Sequence, residues 1–389
     1  MKPPQTYRIV AAAITVSFAV AAAGCRGASG ISGVLPPQAP SIASTGIHPD
    51  VPWSGKIEHV IIIVKENHTF DNYFGTFPHA KGVKLAAAAD PVPDPQHDHA
   101  AWLAAQSHGG GVQEQYKRAD IPAYWAYAQQ YSLCDNYFTD VASQSEPNHL
   151  HLIAATSPII DNASQHRFYQ PFPPYNLESL PATLEAAGMT WRNYASPRSS
   201  YFDHISALAG HAWNVPVGQF NLDVAAGSLP DVAWLYAPDG LSEHPGNHGG
   251  PVVKPGMEWT VARVAAVAAS PLWAKTAIFI TWDDWGGWAD HIKPQRLSNW
   301  PGGGHKGYQG SQFRYGPRVP CLVLSPYAKQ GINSTFYSHV SIIKFCLRLF
   351  GLQAWNVPAL APDDPSGDMW ESFDFNAAPR LGPPSTVPK

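Results

Sequence analysis

The chain has 389 residues, of which 45% are hydrophobic and 14% charged, a balance that excludes a disordered chain and allows a large buried core. Its formal net charge of -4 leaves no basic field for nucleic acid, so no nucleic-acid partner is expected. An anionic ligand would have to be attracted locally, by a metal ion or a helix N-terminus.

The N-terminal 25 residues read as an export signal. Lys2 and Arg8 supply a short positive region, and residues 9–23 form an apolar run too short for a comfortable membrane span. The run ends Ala22-Ala23-Gly24-Cys25, which resembles a bacterial lipobox with Cys25 as the lipidated residue; a plain signal peptide cut near the same place is the alternative. Either places the mature protein outside the cytoplasm, and lipidation would tie it to a membrane. Residues 26–55, rich in Gly, Ser, Pro and Ala, are expected to be a flexible linker, and residues 56–389 a single folded domain. The remaining cysteines are Cys134, Cys321 and Cys346. An odd number argues against a disulfide framework, although one pair could still bridge.

Residues 60–64 (VIIIV) are a β-branched run of the kind found in a strand buried on both faces. Similar runs recur at Thr276–Trp282 and 319–325, and Val232–Tyr236 is strand-like. Helical patterns fall at 122–131, 147–155, 177–187, 259–268 and 336–350. Strands alternating with helices predict a layered α/β domain with a mostly parallel sheet. The Pro/Gly-rich stretches 238–256 and 297–318 read as long loops over a site. In open α/β sheets ligands bind beyond the carboxyl ends of the strands, so chemistry should cluster just after the apolar runs.

Four clusters do so. Glu66 and Asn67 follow the first run; Glu66 could hold a hard cation and Asn67 donate to a phosphoryl oxygen, or Glu66 could pair structurally. Ser145 lies before Pro147, which suits the first turn of a helix, so Ser145 is either a nucleophile at an anion-favouring N-terminus or a simple N-cap. Asp283 and Asp284 follow the second run, and adjacent buried carboxylates repel unless a divalent metal joins them. His291 closes that segment. His339 opens the last helix, where a neutral imidazole able to ligate metal is favoured. His244 at another strand exit and His97 in a polar loop are weaker candidates.

From about residue 57 to 352 the ordered segments resemble the phosphoesterase family of bacterial and plant phospholipases C and a class of acid phosphatases, within the alkaline-phosphatase-like superfamily. The resemblance is carried by Glu66-Asn67-His68-Thr69-Phe70-Asp71-Asn72-Tyr73-Phe74-Gly75, Leu133-Cys134-Asp135-Asn136-Tyr137-Phe138 and Glu146-Pro147-Asn148-His149-Leu150. Glu243-His244-Pro245, Asp283-Asp284-Trp285-Gly286-Gly287, Arg318-Val319-Pro320 and His339-Val340-Ser341 complete it. It implies a three-layer fold with a central mostly parallel sheet and helices on both faces. It implies Ser145 as nucleophile, a divalent metal on Glu66, Asp283, Asp284 and His339, and substrate contacts from Asn67, His97, Asn148, His244 and His291. The implied substrate is a phosphate ester, a phosphomonoester or a phospholipid, cleaved through a phosphoserine. The family often has Asp-Glu-His-Gly-Gly where this chain has Asp283-Asp284-Trp285-Gly286-Gly287, which leaves the number and identity of metals open. A surface lipoprotein that keeps the fold as a binding module is the alternative; it should have lost Ser145 or an acidic ligand, and neither is missing.

Overall fold

The structure is a computed structural model that describes residues 55–389 except 109, 164–168, 197–198, 247 and 304–306. The expected signal with Cys25, and the linker up to residue 54, lie outside the described residues. In chain order the elements that position the site begin with β1 (His59–Lys65), α1 (Phe70–Phe74), α2 (His99–His108), α3 (Pro122–Gln130), β2 (Ser132–Cys134), α4 (Ser145–Ala154) and α5 (Leu180–Ala186). They continue with β3 (Trp191–Ala195), β4 (Asn214–Pro216), α6 (Gln219–Ala226), β5 (Val232–Tyr236) and α7 (Val253–Ala268). The last are β6 (Thr276–Trp282), β7 (Cys321–Leu324), β8 (Gly331–Asn333) and α8 (His339–Phe350).

All eight strands form one sheet in the spatial order β8-β2-β7-β6-β1-β5-β3-β4. Every pairing is parallel except the two that β7 makes, with β6 and with β2. Residues 60–64 of β1 are buried on both faces, which explains their unbroken apolar run. Side chains of opposite parity on β6 meet different helices: Phe279 packs on Phe345 of α8, while Trp282 meets Tyr124 of α3. Helices therefore cover both faces, with α4 on α8 and α5, and α7 on α3 and α6. Among the described residues no helix is long and apolar enough to cross a membrane.

Four helix starts differ from the sequence reading: α5 begins at Leu180 and α8 at His339, each three residues later than expected, and the other two shift earlier. Helix α4 begins at Ser145, not after it, with Gln144 as the N-cap. Pro147 is then the third helical residue, still within the turn whose N–H groups have no helical acceptor, so nothing is lost. Helix α7 begins at Val253, six residues before the expected 259, and ends the supposed 238–256 loop early. The Asp90 carboxylate accepts from the N–H groups of Val252 and Val253 at 2.9 and 3.0 Å, capping the helix from a residue far away in the chain.

Candidate active site

The register of the central strands assembles the site. Lys65, the last residue of β1, lies opposite Trp282, the last of β6, so Glu66 and Asp283 leave the sheet side by side. The Asp283 N–H continues the ladder onto the Lys65 carbonyl at 2.9 Å. Beyond that edge the chain folds back on itself. Asn67 takes a left-handed conformation, φ +65°, and its N–H donates to Asp283 Oδ1 at 2.9 Å. The same oxygen accepts from the Asp284 N–H at 2.7 Å, while Asp284 Oδ1 accepts from the Gly286 N–H, also at 2.7 Å. Gly286 is required here. A Cβ at this position would sit 2.5 Å from the Cβ and carbonyl oxygen of Asn67, and its φ of +56° suits glycine.

Ser145 enters from the first turn of α4, and its hydroxyl donates to Asp284 Oδ2 at 3.0 Å. One helical turn further on the same face, His149 points Nε2 at Asp283 Oδ2, 3.3 Å away, and at Glu66 Oε1, 3.6 Å away. Tyr236 stacks on the His149 ring and Tyr201 lies against it, with centroids at 5.3 and 4.8 Å. Glu66, His149 and Asp283 thus offer three ligand atoms within 4.8 Å of one another. His149 did not figure among the expected ligands, although its place four residues after Ser145 was a readable signal.

Electrostatics identify this as an unbalanced cluster. Burial alone would depress the His149 imidazole, but its hydrogen bonds and proximity to Asp283 and Glu66 raise it to about 9. Burial alone would raise the Asp283 carboxyl, yet the His149 hydrogen bond and charge and the Asn67 N–H hold it below the usual carboxylate range. Burial, then the charge of Asp283, push the Asp284 carboxyl well above it. One imidazole cannot neutralise Glu66, Asp283 and Asp284 together. In addition, the buried Asn67 Oδ1 has no hydrogen-bond partner among the described residues. An oxygen-rich, anionic, partly unsatisfied donor set with one imidazole fits a divalent cation.

The other expected residues divide into those the fold brings to the site and those it does not. His97 is buried, contrary to its polar-loop context. Its Nδ1–H donates to the Pro95 carbonyl at 2.7 Å, leaving Nε2 to accept from Asn67 Nδ2 at 3.3 Å. His244 lies next to it, ring centroids 6.1 Å apart; burial would lower its imidazole, but Glu66 and Asp94 outweigh that and raise it. These two histidines and Asn67 form an imidazole and amide rim beside Glu66.

Three residues need correction. His339 is not placed as a ligand: its Nε2–H donates to the main-chain carbonyl of Asp283 at 2.7 Å and its Nδ1 faces the Tyr137 hydroxyl at 3.1 Å, so both nitrogens are engaged. Burial keeps it neutral, and it supports Asp283 from behind. Asn148 is not a substrate group either. Its amide accepts from the Val141 N–H at 2.8 Å and donates to the carbonyls of Val141 and Gln144, which pins the turn presenting Ser145. His291 binds Asp71, through Nδ1–H at 2.6 Å and its own N–H at 2.8 Å, and lines a separate cavity of about 280 Å³ with Trp285, Trp288 and Asp290.

Two buried ion-pair systems hold the frame. Lys65 pairs with Glu243 at 3.3 Å and donates to the carbonyls of Leu241 and Gly256, fixing the loop that carries His244. The Arg318 guanidinium, fully buried, binds Asp71 and Asp290, each at 3.1 Å, and the carbonyls of Lys81 and Asp135. It thereby ties together the first signature, the loop after α1, the segment after β2 and the loop after β6.

The phosphoesterase family model matches residues 57–95 and 88–353. The non-hemolytic phospholipase C of Pseudomonas aeruginosa is 27% identical over an alignment covering 92% of this chain and 63% of that protein, so the chain spans less than two thirds of that relative. Phospholipase C A of Mycobacterium tuberculosis is 28% identical, over 85% of this chain and 79% of that protein. Non-specific phospholipase C6 of Arabidopsis thaliana is 24% identical, over 78% of this chain and 69% of that protein. With a family match across most of its length, the chain belongs to the phosphoesterase family.

Proposed function

We propose that the protein is an exported, metal-dependent phosphoric ester hydrolase that works through a phosphoserine on Ser145. The observation that carries this reading is the Ser145 hydroxyl, donating at 3.0 Å to a carboxylate of raised proton affinity, Asp284, at the first turn of a helix. The relatives named phospholipase C support ester hydrolysis as the reaction class.

Glu66, His149 and Asp283, with Asp284 beside them, would hold the cation. When bound, it supplies positive charge that lowers the proton affinity of the nucleophile and neutralises phosphoryl oxygens. The chain's own groups do the rest. Asp284 takes the Ser145 proton as the oxygen attacks phosphorus and the P–O bond to the leaving group breaks, the departing alkoxide taking its proton from solvent water. The N-terminal dipole of α4, the Asn67 amide and the raised His244 imidazole stabilise the developing charge on phosphorus. Water then cleaves the phosphoserine and Asp284 returns the proton to Ser145.

Ser145→Ala should abolish turnover of p-nitrophenyl phosphate while the circular dichroism spectrum stays that of the wild type; a variant with wild-type turnover would refute the nucleophile. A chelator should remove activity and a divalent cation restore it. Comparing phosphatidylcholine with p-nitrophenyl phosphate and p-nitrophenyl phosphocholine decides between a phospholipase C and a phosphomonoesterase. Export and an anchor at Cys25 belong to the same proposal, supported by the lipobox-like sequence, and the mass of the mature N-terminal peptide tests them.

A further inference from the structure

Outside the hydrolytic site, two thiols face each other across the sheet. Strand β7 runs antiparallel to β2, and its register sets Cys321 directly opposite Cys134. Opposed residues of an antiparallel pair project to the same face, with Cα atoms about 4.5–5.5 Å apart, inside the ~4.4–6.8 Å range a disulfide spans. Both thiols are fully buried. The other polar neighbour of Cys134 is the Ser372 hydroxyl, whose oxygen is 3.8 Å from Sγ. Cys346, on α8, belongs to no such pair of opposed strands.

We propose that Cys134 and Cys321 join in a cross-strand disulfide when the chain folds in an oxidising compartment. The compartment rests on the export reading above; the pairing rests on the strand register alone. Because the folded core seals both thiols, the bond forms as β7 registers against β2 and before the pair is covered. One thiolate of the folding chain attacks a low-molecular-weight disulfide such as oxidised glutathione and releases one thiolate. The second cysteine displaces the other. The protein thiols lose two electrons and two protons, and the reagent is reduced to two thiols. The link joins residues 134 and 321 and acts on a strand whose Cys321 also pairs with Thr281 of β6, two residues before Asp283.

The test uses the full chain, reduced and unfolded, then refolded in a mixture of reduced and oxidised glutathione. Free thiols are alkylated with N-ethylmaleimide under denaturing conditions and peptides are mapped by mass spectrometry. The expected result is a peptide pair joining Cys134 to Cys321 that separates on reduction, with Cys346 alkylated, and the same linked pair in Cys346→Ser. The proposal is overturned if protein with a native near-ultraviolet spectrum carries the alkyl group on both Cys134 and Cys321, or if the linked peptide contains Cys346. Because the readout is mass, it is independent of hydrolysis and separates failure of this pairing from failure of the proposed reaction.

Discussion

His149 Nε2 stands 3.3 Å from Asp283 Oδ2, which makes the imidazole of α4 the counter-charge of the β6 carboxylate when no cation is bound. The folded imidazole titrates near 9, against 6.5 in the unfolded chain, so its contribution to stability is complete below about 6.5 and disappears as pH rises through about 9. In the presence of a chelator, the melting temperature should therefore fall between those values, and His149→Gln should flatten that part of the profile. Metal binding should strengthen over the same interval, because the cation displaces the His149 proton. A chelated wild-type protein whose melting temperature rises across this window would contradict the pairing.

His149 and His339 exchange their expected ranks. His149→Ala should weaken cation affinity by more than about tenfold, since it removes a donor of the anionic cluster. His339→Ala should act mainly on stability, by about 1–3 kcal/mol, because it takes the Nε2–H donor from the buried carbonyl of Asp283 and a contact from the Tyr137 hydroxyl. Titration against a competing chelator, together with urea denaturation, reads both effects. Equal losses of affinity would restore His339 as a ligand.

The remaining histidines should separate cleanly in kinetics. His291→Ala should leave kcat/KM for p-nitrophenyl phosphate near the wild-type value, since its partner is Asp71 and it faces a different cavity. His97→Ala and His244→Ala should both lower it, through the rim they form beside Asn67 and Glu66.

Arg318→Met should be severe, about 3–5 kcal/mol, because it removes the buried guanidinium from Asp290 and leaves Asp71 to His291. The Asp290 carboxyl, raised to about 6 mainly by burial and by Asp71 despite Arg318, should relieve part of that cost on protonation. The variant should accordingly lose less stability near pH 5 than at pH 8 in urea titrations. A mild effect at both would mean the two carboxyls are hydrated.

The strands were legible where burial on both faces demands an unbroken apolar run, as in β1 and β6, and the site followed because such strands end where ligands bind. Glu66, Asn67, Asp283, Asp284 and Ser145 could be read that way. What could not be read depends on contacts between distant segments. Pro147 marks a helix start locally, yet Asn148 binds Val141 and Gln144 and moves the start back to Ser145. Asp90 sets the start of α7 from 162 residues away. A histidine's residue type does not reveal which nitrogen meets what: His339 spends both on a carbonyl and a hydroxyl, whereas the helical spacing from Ser145 already marked His149. Short strands such as β2 and β8 carry too few residues for a pattern to rise above their surroundings.

The Arg318 clamp has a consequence for biosynthesis. A ribosome that has released Glu66, Ser145 and the Asp283–Asp284 pair has delivered the residues of the candidate site. The single cation that binds Asp71, Asp290 and the Asp135 carbonyl is still inside the exit tunnel. Until it emerges the two carboxyls repel, and the strand edge bearing Asn67 has nothing to lock against. The first strand edge is thus locked by a side chain 247 residues beyond Asp71, so a fragment ending before residue 318 would leave that edge unfastened.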